Sequence, residues 1–436
     1  MNRVFLFFRS RRIGSFLVLS SLFSVLSFRF AFATDVYLGL QAYGANGKML
    51  GVGLAPFTSP NDSESANLAK SLRSVMREDL LFEHLFDIVE GGQAPGDKLD
   101  STGWGGLGAQ VVISGIVKPN GDQVTVECRI YDVSTGKILF GKEGTGPKSN
   151  ARRLAHLLSD QMTYQLSGQP GVAHTKIVFV NDHGHHKEIY VMDYDGANVQ
   201  QLTYNHSIDL LPKYSPDGKM IVFNSYKAGN PDAYLMDASG RNVRELSTRQ
   251  GLNTAPAWSP DGSQICLTLS RGGDPELYLL NRLGGIVRRL TYSPGVDTSP
   301  AFSPNGQQVA FVSDRAGNPE LYVMDATGGN VQRLTYGQYV DAPAWSPRGD
   351  LIAYERQRSQ GRYDLYLIEP SGHNSRVVSE AGSRNENPSW SPDGRFLAFS
   401  SDRDGRNKIC VMLADGSNPH CLSDLPGEST TPSWGP

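Results

Sequence analysis

One short phrase occurs six times in the second half of the chain, and each copy begins with a proline. Most copies read Pro-x-aromatic-Ser-Pro-Asp-Gly or a close variant of it. The six copies begin at Pro212, Pro256, Pro300, Pro343, Pro388 and Pro432. Successive prolines lie 44, 44, 43, 45 and 44 residues apart. A period in the forties with several short strands per repeat is the signature of a β-propeller.

Each repeat contains four strand patterns separated by turns. In the copy that starts at Pro300, the phrase itself is followed by alternating runs at 308–313, 320–324 and 331–335. The breaks between them read Pro-Asn-Gly, Asp-Arg-Ala-Gly-Asn and Thr-Gly-Gly-Asn, which supply the dihedral angles that tight reversals need. Four antiparallel strands of this kind make one propeller blade.

The two ends of the repeat region complement each other. Residues 175–203 contain the second, third and fourth strand patterns of a blade, without the proline phrase before them. Residues 432–434 carry the phrase, with no further strand pattern after it. We therefore predict a six-bladed β-propeller over residues 172–436, in which the C-terminal strand completes the first blade and leaves no unpaired edge at the seam.

The N-terminus has the pattern of a secretory signal. Arginines such as Arg3 and Arg12 precede an apolar stretch at 13–28, and Ala31-Phe32-Ala33 offers a small-x-small cleavage site. An uncleaved anchor would need about 18–20 unbroken apolar residues, and serines interrupt this run. We predict a signal peptide at 1–33, cleaved after Ala33, and export of the chain. Removing it changes the net charge from −3 to −8 (36 basic against 44 acidic residues), which disfavours nucleic-acid binding.

The region between the signal and the repeats predicts a small α/β domain at 34–168, whose first residues form a mobile segment. Residues 65–81 and 149–166 have helical periodicity, while 110–117 and 124–131 read as strands. Ser167-Gly168-Gln169-Pro170-Gly171 is the predicted linker. The expected fold class is therefore α+β with two domains, the small α/β domain preceding the propeller.

Two of the four cysteines are placed to face each other. Cys410 and Cys421 flank Asp415-Gly416, a two-residue hairpin turn, so they fall opposite one another on neighbouring strands. Export permits a disulfide, but cross-strand geometry often strains one, so the sequence leaves both a disulfide and two free thiols open. We expect Cys128 and Cys266 to be buried free thiols.

The remaining chemistry-bearing residues favour ordinary structural roles. Asp182-His183-Gly184-His185-His186 has imidazoles that suit zinc or nickel, yet it occupies a turn of the repeat, so we predict a solvated loop and neither metal nor cofactor. The carboxylates that precede four of the six proline phrases, Asp209, Asp297, Asp341 and Glu386, could bind a cation or act as acid and base. No nucleophile is paired with them, and we predict no catalytic residue.

A second group of residues carries a family resemblance. Trp104-x-x-Leu107-Gly108-Ala109, followed by Val111-Val112-Ile113-x-Gly115, is similar to a segment of the TolB family. Together with the signal, the domain order and the six-fold phrase, it makes the whole mature chain resemble that periplasmic family of the Tol-Pal envelope system. Gln110 departs from the Asp that is often found there.

The resemblance implies a non-enzymatic periplasmic scaffold that supports outer-membrane integrity and invagination during cell division. Its expected partners are a Pal-like peptidoglycan-associated lipoprotein, a TolA-like inner-membrane protein and further outer-membrane proteins, with the chain itself a monomer. Transferred by position, the Pal-facing residues are Leu252, Asn253, Ala255, Asp297, Thr298, Asp341 and Glu386. The TolA-facing residues are Asp35, Val36, Tyr37 and Leu38, within a segment at 34–44 that could add as a strand to a partner's sheet.

Two other functions stay open at this stage. One is an exported peptidase-like propeller, although the chain has no Gly-x-Ser-x-Gly nucleophile elbow and too few residues outside the repeats for a hydrolase domain. The other is a propeller that binds a carbohydrate or another small ligand, which the fold alone does not exclude.

Overall fold

The computed structural model describes residues 49–96, 98–183, 186–358, 361–379, 382–422 and 424–436, without the side chain of His183. The predicted signal peptide, its cleavage site after Ala33 and the segment at 34–44 lie outside these residues. Among the described helices, none combines the length and the apolar character needed to cross a membrane.

The N-terminal domain is one five-stranded sheet with helices on both faces. The sheet order is β2-β1-β3-β4-β5, with β1 parallel to β2 and β3, and with antiparallel pairs from β3 to β5. In chain order the elements are β1 Leu50–Leu54, α1 Ser63–Phe82, β2 Phe86–Val89, α2 Ser101–Gly106, β3 Val111–Asn120, β4 Gln123–Asp132, β5 Ile138–Pro147, a 3-10 turn Lys148–Asn150 and α3 Ala151–Ser167.

Local chemistry explains where the two long helices begin and end. The Asp62 carboxylate accepts a hydrogen bond from the Ser65 amide at 2.8 Å, so it caps α1 and starts the helix two residues before the predicted position. Helix α3 ends at Gly168, whose φ of 70° is left-handed. Both helices pack on one face of the sheet. The short helix α2 was not predicted; it seals the opposite face with the fully buried Trp104.

The remaining strands form six antiparallel sheets of four strands each, which confirms the predicted six-bladed propeller and the α+β two-domain fold. The strands are β6 Lys176–His183, β7 His186–Asp193, β8 Gln200–Gln201, β9 Asp209–Tyr214, β10 Met220–Ser225, β11 Asp232–Asp237, β12 Arg244–Ser247, β13 Asn253–Trp258, β14 Gln264–Leu269, β15 Glu276–Asn281, β16 Ile286–Arg289, β17 Asp297–Phe302, β18 Gln308–Ser313, β19 Glu320–Asp325, β20 Gln332–Arg333, β21 Val340–Trp345, β22 Ile352–Gln357, β23 Tyr363–Ile368, β24 Arg376–Val377, β25 Asn385–Trp390, β26 Phe396–Ser401, β27 Lys408–Leu413, β28 His420–Cys421 and β29 Glu428–Gly435.

The ring closes as the incomplete end repeats predict. Strand β29 pairs with β6, and the resulting sheet has the order β29-β6-β7-β8. The last copy of the phrase has Gly435 where the first has Ser215. A Cβ atom at position 435 would lie only 2.3 Å from Cδ2 of Tyr214 in the next blade, so the seam requires glycine there.

Hydrogen bonds within the repeated phrase explain its composition. The Ser215 hydroxyl donates to Asp217 Oδ1 at 2.6 Å and accepts from the Met220 amide at 2.9 Å. Ser259 repeats both contacts with Asp261 and Gln264. These bonds lock the reversal from the first to the second strand of a blade, and the Ser-Pro-Asp-Gly motif therefore specifies a turn.

A left-handed residue precedes every one of the six prolines. Each first strand has a register shift at this point, where its pairing with the second strand is interrupted. The φ angles are 52° at Leu211, 50° at Ala255, 51° at Ser299, 49° at Ala342, 56° at Asn387 and 48° at Thr431. Non-glycine residues rarely adopt this conformation, so the six bulges are a specific feature of these innermost strands.

The propeller has two faces, which we name by their loops. The lead-in face carries the segments before the first strands, at 202–208, 248–252, 290–296, 334–339, 382–384 and 424–427, together with the turns between second and third strands. The Asp-Gly face carries the turns between first and second strands and those between third and fourth strands. The N-terminal domain contacts this second face through the ion pair between Glu83 and Arg395.

The domain contact shares a core with the seam blade. The Phe82 ring at the end of α1 lies 4.7 Å from the Tyr194 ring and 4.9 Å from the Phe396 ring, measured between centroids. Trp434 of β29 belongs to the same cluster, and the buried Asp79 carboxylate accepts from the Tyr194 hydroxyl at 2.7 Å. The closing strand and the N-terminal domain therefore pack against the same side chains.

The cysteines are distributed as one pair and two single thiols. Cys410 on β27 lies opposite Cys421 on β28, and their sulfur atoms are joined in a disulfide. Cys128 and Cys266 are free and buried. Removal from water raises the pKa of the Cys128 thiol to about 12, which makes this thiol unreactive at neutral pH.

The seam should be sensitive to loss of its tryptophan. Trp434→Ala removes a ring that is 6% exposed and whose Nε1 donates to Thr175 Oγ1 at 2.8 Å, so we expect a loss of about 3–5 kcal/mol in the free energy of unfolding. Urea denaturation measures it. Trp258→Ala is the matched control, because Trp258 is 8% exposed and occupies the same strand position in a blade away from the seam. An equal loss in both variants would contradict a special role for the closing strand.

The domain contact should depend on Arg395. Arg395→Met leaves the Glu83 carboxylate, which is 2% exposed, without its ionic partner, and we expect a loss of about 3 kcal/mol in unfolding free energy. Burial already raises the pKa of Glu83 to about 7, so the folded state holds a proton on this group that the unfolded state releases, and the unfolding free energy falls as pH rises from about 4.5 to 7. The group is ionised at pH 8, where it needs Arg395 most, so the defect of Arg395→Met should be larger at pH 8 than at pH 5.5. Thermal unfolding at both pH values tests this.

A double variant controls for packing changes. Arg395→Met combined with Glu83→Gln removes both charges, and it should be more stable than Arg395→Met alone at pH 8. A double variant that is as unstable as the single one would assign the effect to packing instead of to the buried charge.

Candidate functional site

The lead-in face exposes an unusual amount of apolar surface. Tyr292 and Tyr336 are 71% and 68% exposed, and Tyr204 occupies the same place in another repeat. Large apolar residues more than one-third exposed on this face are Tyr204, Ile208, Tyr226, Leu252, Tyr292, Val296, Tyr336 and Tyr339. Extended exposed apolar patches of this kind mark surfaces for partners, and tyrosine is enriched among the residues that dominate binding energy.

Arginines orient two of these exposed tyrosines. The Arg289 guanidinium lies over the Tyr292 ring, 4.4 Å from its centroid, and donates to the Glu276 carboxylate at 2.7 Å. Arg333 repeats the arrangement, with its guanidinium 4.7 Å from the centroid of Tyr336. Rings held in this way lose little side-chain entropy when a partner covers them.

The tyrosines were not predicted as site residues, although the sequence contains a signal for them. Each follows the dipeptide Leu-Thr, at 202–204, 290–292 and 334–336, just where the fourth strand of a blade ends. In each case the leucine and threonine are buried while the tyrosine is exposed. An aromatic residue that recurs at the same loop position in several repeats could have indicated this surface.

Two of the seven predicted Pal-facing residues are buried inside the blades. Asn253 is 0% exposed, and its side chain accepts from Ser247 Oγ at 2.6 Å. Asp297 is 1% exposed, and both of its carboxylate oxygens accept from Arg315 Nη2, Oδ1 at 2.9 Å and Oδ2 at 2.8 Å. Both lie three residues before the proline, a position that is buried in all six blades. These side chains hold the lead-in loops and are not on the surface, contrary to what was expected.

The other five predicted residues are accessible on the lead-in face or in the channel. Leu252 is 38% exposed. Thr298, Asp341 and Glu386 lie two residues before the proline and are partly exposed, as is Ala255 of the left-handed position. The position three residues before the proline is therefore buried, and the position two residues before it faces the channel. Residue spacing in the sequence does not by itself distinguish the two positions.

A buried carboxyl group, not predicted from the sequence, lies behind this mouth of the channel. Glu355 on β22 is 6% exposed, and its Oε2 accepts from the amide of Asn387 at 2.7 Å. Burial, and then the neighbouring Asp341 carboxylate, raise the pKa of Glu355 to about 8. Burial likewise raises the pKa of Glu386, whose carboxylate accepts from Arg384 Nε at 2.7 Å. This end of the channel is therefore acidic.

The histidine-rich turn lies mostly outside the described residues, so the prediction of a solvated loop without a metal is not tested there. The imidazole of His186 lies 5.3 Å from that of His206, measured between ring centroids. The side chain of His183 and the whole of Gly184 and His185 lie outside the described residues. Within the described part of the chain, no three histidine, cysteine, aspartate or glutamate side chains are grouped as metal ligands.

Comparison with known proteins matches both domains to one family. Residues 41–139 match the TolB amino-terminal domain, and residues 164–436 match the TolB beta propeller domain. The Tol-Pal system protein TolB of Geobacter sulfurreducens is 39% identical over 195 residues, which are 42% of this chain and 44% of the relative. The Protein TolB homolog of Chlorobium chlorochromatii is 35% identical over 174 residues, 38% of this chain and 40% of the relative. These alignments thus span less than half of each relative.

A solved structure extends the similarity over both domains. The crystal structure of TolB from Acinetobacter baumannii superimposes with a TM-score of 0.79 at 26% sequence identity, covering 89% of this chain and 97% of that chain. The propeller match alone includes more than half of the residues of this chain. The fold, the domain order and these matches lead to one conclusion: the chain belongs to the TolB family.

Proposed function

We propose that the protein is a non-enzymatic scaffold of the Tol-Pal system that binds a Pal-like peptidoglycan-associated lipoprotein on its lead-in face. The observation that carries the proposal is the group of exposed tyrosines and aliphatic residues on the propeller face opposite the N-terminal domain. Among the matched relatives, the Geobacter protein is named as a member of that system.

The two kinds of surface on this face have different roles in the proposed complex. The tyrosine rim supplies apolar contact area, while Thr298, Asp341 and Glu386 at the channel mouth accept hydrogen bonds or positive charges from the partner. Asn253 and Asp297 act indirectly, because their buried hydrogen bonds hold the loops that present Leu252 and Thr298.

A second partner is proposed for the residues before the described domain. Asp35, Val36, Tyr37 and Leu38 would engage a TolA-like inner-membrane protein by strand addition, after export to the periplasm and cleavage behind Ala33. Holding an inner-membrane protein and an outer-membrane lipoprotein at the same time would link the two membranes, which is the proposed contribution to envelope integrity during division.

Substitutions on the lead-in face should weaken lipoprotein binding. Tyr336→Ala removes a ring that is 68% exposed, and Thr298→Arg places a bulky charge at the channel mouth, so we expect each to raise the Kd at least tenfold. Titration calorimetry with the soluble domain of the organism's own Pal-like lipoprotein measures this. The matched control is Val287→Ala, because Val287 is 52% exposed but lies on an outer strand, β16.

The outcomes separate the proposal from its alternatives. Unchanged affinity in both lead-in variants would show that the lipoprotein binds a surface other than the lead-in face. A lipoprotein that does not bind the unaltered protein at all would overturn the proposed function.

The acidic channel mouth should make stability pH-dependent. Because the folded-state pKa of Glu355 is about 8 and the unfolded value is about 4.5, folding takes up a proton between these values, and stability falls as pH rises through that window. Glu355→Gln removes the titrating carboxyl group. The unfolding free energy of this variant should therefore exceed that of the unaltered protein by almost nothing at pH 4.5 and by about 2–4 kcal/mol at pH 8. Urea unfolding across this range checks it.

An exposed carboxylate provides the control for Glu355. The side chain of Glu64 is 76% exposed, so Glu64→Gln should change stability little at any of these pH values. A Glu355→Gln variant whose advantage does not depend on pH would show that the carboxyl group does not titrate in this window.

A further inference from the structure

The propeller channel widens into an apolar cavity at its other end, toward the Asp-Gly face. The cavity has a volume of about 390 Å³, which is within the size range of small-molecule sites. Its rim includes Pro216, Pro347 and Pro392 of the Ser-Pro turns, and tryptophans such as Trp345 line its wall.

One lysine interrupts the six-fold pattern of this wall. The residue directly after the proline of each phrase lines the cavity in all six blades. These residues are Lys213, Ala257, Ala301, Ala344, Ser389 and Ser433. Five are therefore small, and Lys213 alone brings a long side chain with a charge. The repeat itself does not require a lysine, because five blades form the same strand without one.

The Lys213 ammonium group has no carboxylate partner. Among the described residues that line the cavity, no other side chain is charged at neutral pH, and the one other charged group is the terminal carboxylate of Pro436. No carboxylate of the described chain, this one included, lies within ion-pair distance of Lys213. Lys213 is partly buried in the channel wall, and this partial removal from water, with no compensating charge, lowers its pKa to about 8. An unpaired ammonium in an apolar cavity is unfavourable, and an anion that entered would relieve this cost.

The rest of the cavity indicates what such an anion would carry. Prolines, alanines and tryptophan edges provide apolar contact, which suits an organic body more than a hydrated inorganic ion. Trp258, Trp390 and Trp434 are only 6–8% exposed, so the blades cover most of their ring surface. Among the tryptophans of the cavity wall only Trp345 is partly exposed, which leaves one ring and not a pair of rings for stacking.

We propose that the propeller channel binds a small organic monocarboxylate, with the carboxylate on Lys213 and an apolar body between the prolines and tryptophans. This site goes beyond the proposed scaffold function. It opens on the face opposite the acidic lead-in mouth, so its test does not depend on whether a lipoprotein binds there.

Phenylacetate and phenylacetamide provide a matched pair of probes, because they share size and shape and differ in charge. In titration calorimetry with the mature protein at pH 7, phenylacetate should bind at one saturable site and phenylacetamide at least tenfold more weakly. Lys213→Met keeps the aliphatic stem and removes the charge, so phenylacetate should bind it at least tenfold more weakly, while Lys213→Arg should retain binding.

Two controls make each outcome decisive. Lys219→Met removes a lysine from the same face whose side chain is 80% exposed, and it should leave phenylacetate binding unchanged. Lys213→Met should unfold at the same temperature as the unaltered protein or a higher one, because it loses an unpaired charge. Absence of phenylacetate binding, equal affinity for both probes, or undiminished binding to a folded Lys213→Met variant would overturn the proposal.

Discussion

The left-handed residue before each proline is the constraint on which the propeller's two ends depend. At each of the six positions a φ near 50° interrupts the pairing of the innermost strand and inserts a bulge. The residue three before the proline consequently turns into the blade, as Asp297 does, while the residue two before it, such as Thr298, faces the channel mouth. After the bulge the strand resumes its alternation, and Lys213 reaches the channel wall.

Much of the fold could be predicted because its determinants are local. The Ser-Pro-Asp-Gly turn is held by hydrogen bonds between residues two to five apart, so its copies reveal the number of blades, and the two half-repeats reveal the closure. Helix α1 was predictable from its apolar spacing, while its start was placed two residues late. Helix α2 was not, because its six residues contain three glycines and are positioned by the burial of Trp104.

The candidate site was less predictable because it depends on contacts between distant residues. Asn253 and Asp297 were assigned to the surface since spacing alone does not reveal a bulge, and their burial follows from partners such as Ser247 and Arg315. Glu355 is surrounded by Asp341 and Asn387, which come from two other strands of the ring, so its raised pKa has no signature in its own segment. That Cys410 faces Cys421 was predictable, since one hairpin turn relates them, whereas the sequence left open whether they form the disulfide that the structure contains.

The two ends of the channel differ in charge because the repeats differ at single positions. Carboxyl groups of Asp341, Glu355 and Glu386 gather at the lead-in mouth, whereas Lys213 has the one charged side chain among the described residues that line the cavity at the Asp-Gly end. The Asp-Gly end of the channel meets the N-terminal domain at the seam blade, because Trp434 lines the cavity and also packs in the cluster that contacts Phe82. A change that loosens the closing strand would therefore disturb the cavity wall and the domain contact together, while the buried polar contacts of Asp297 on the lead-in side involve neither.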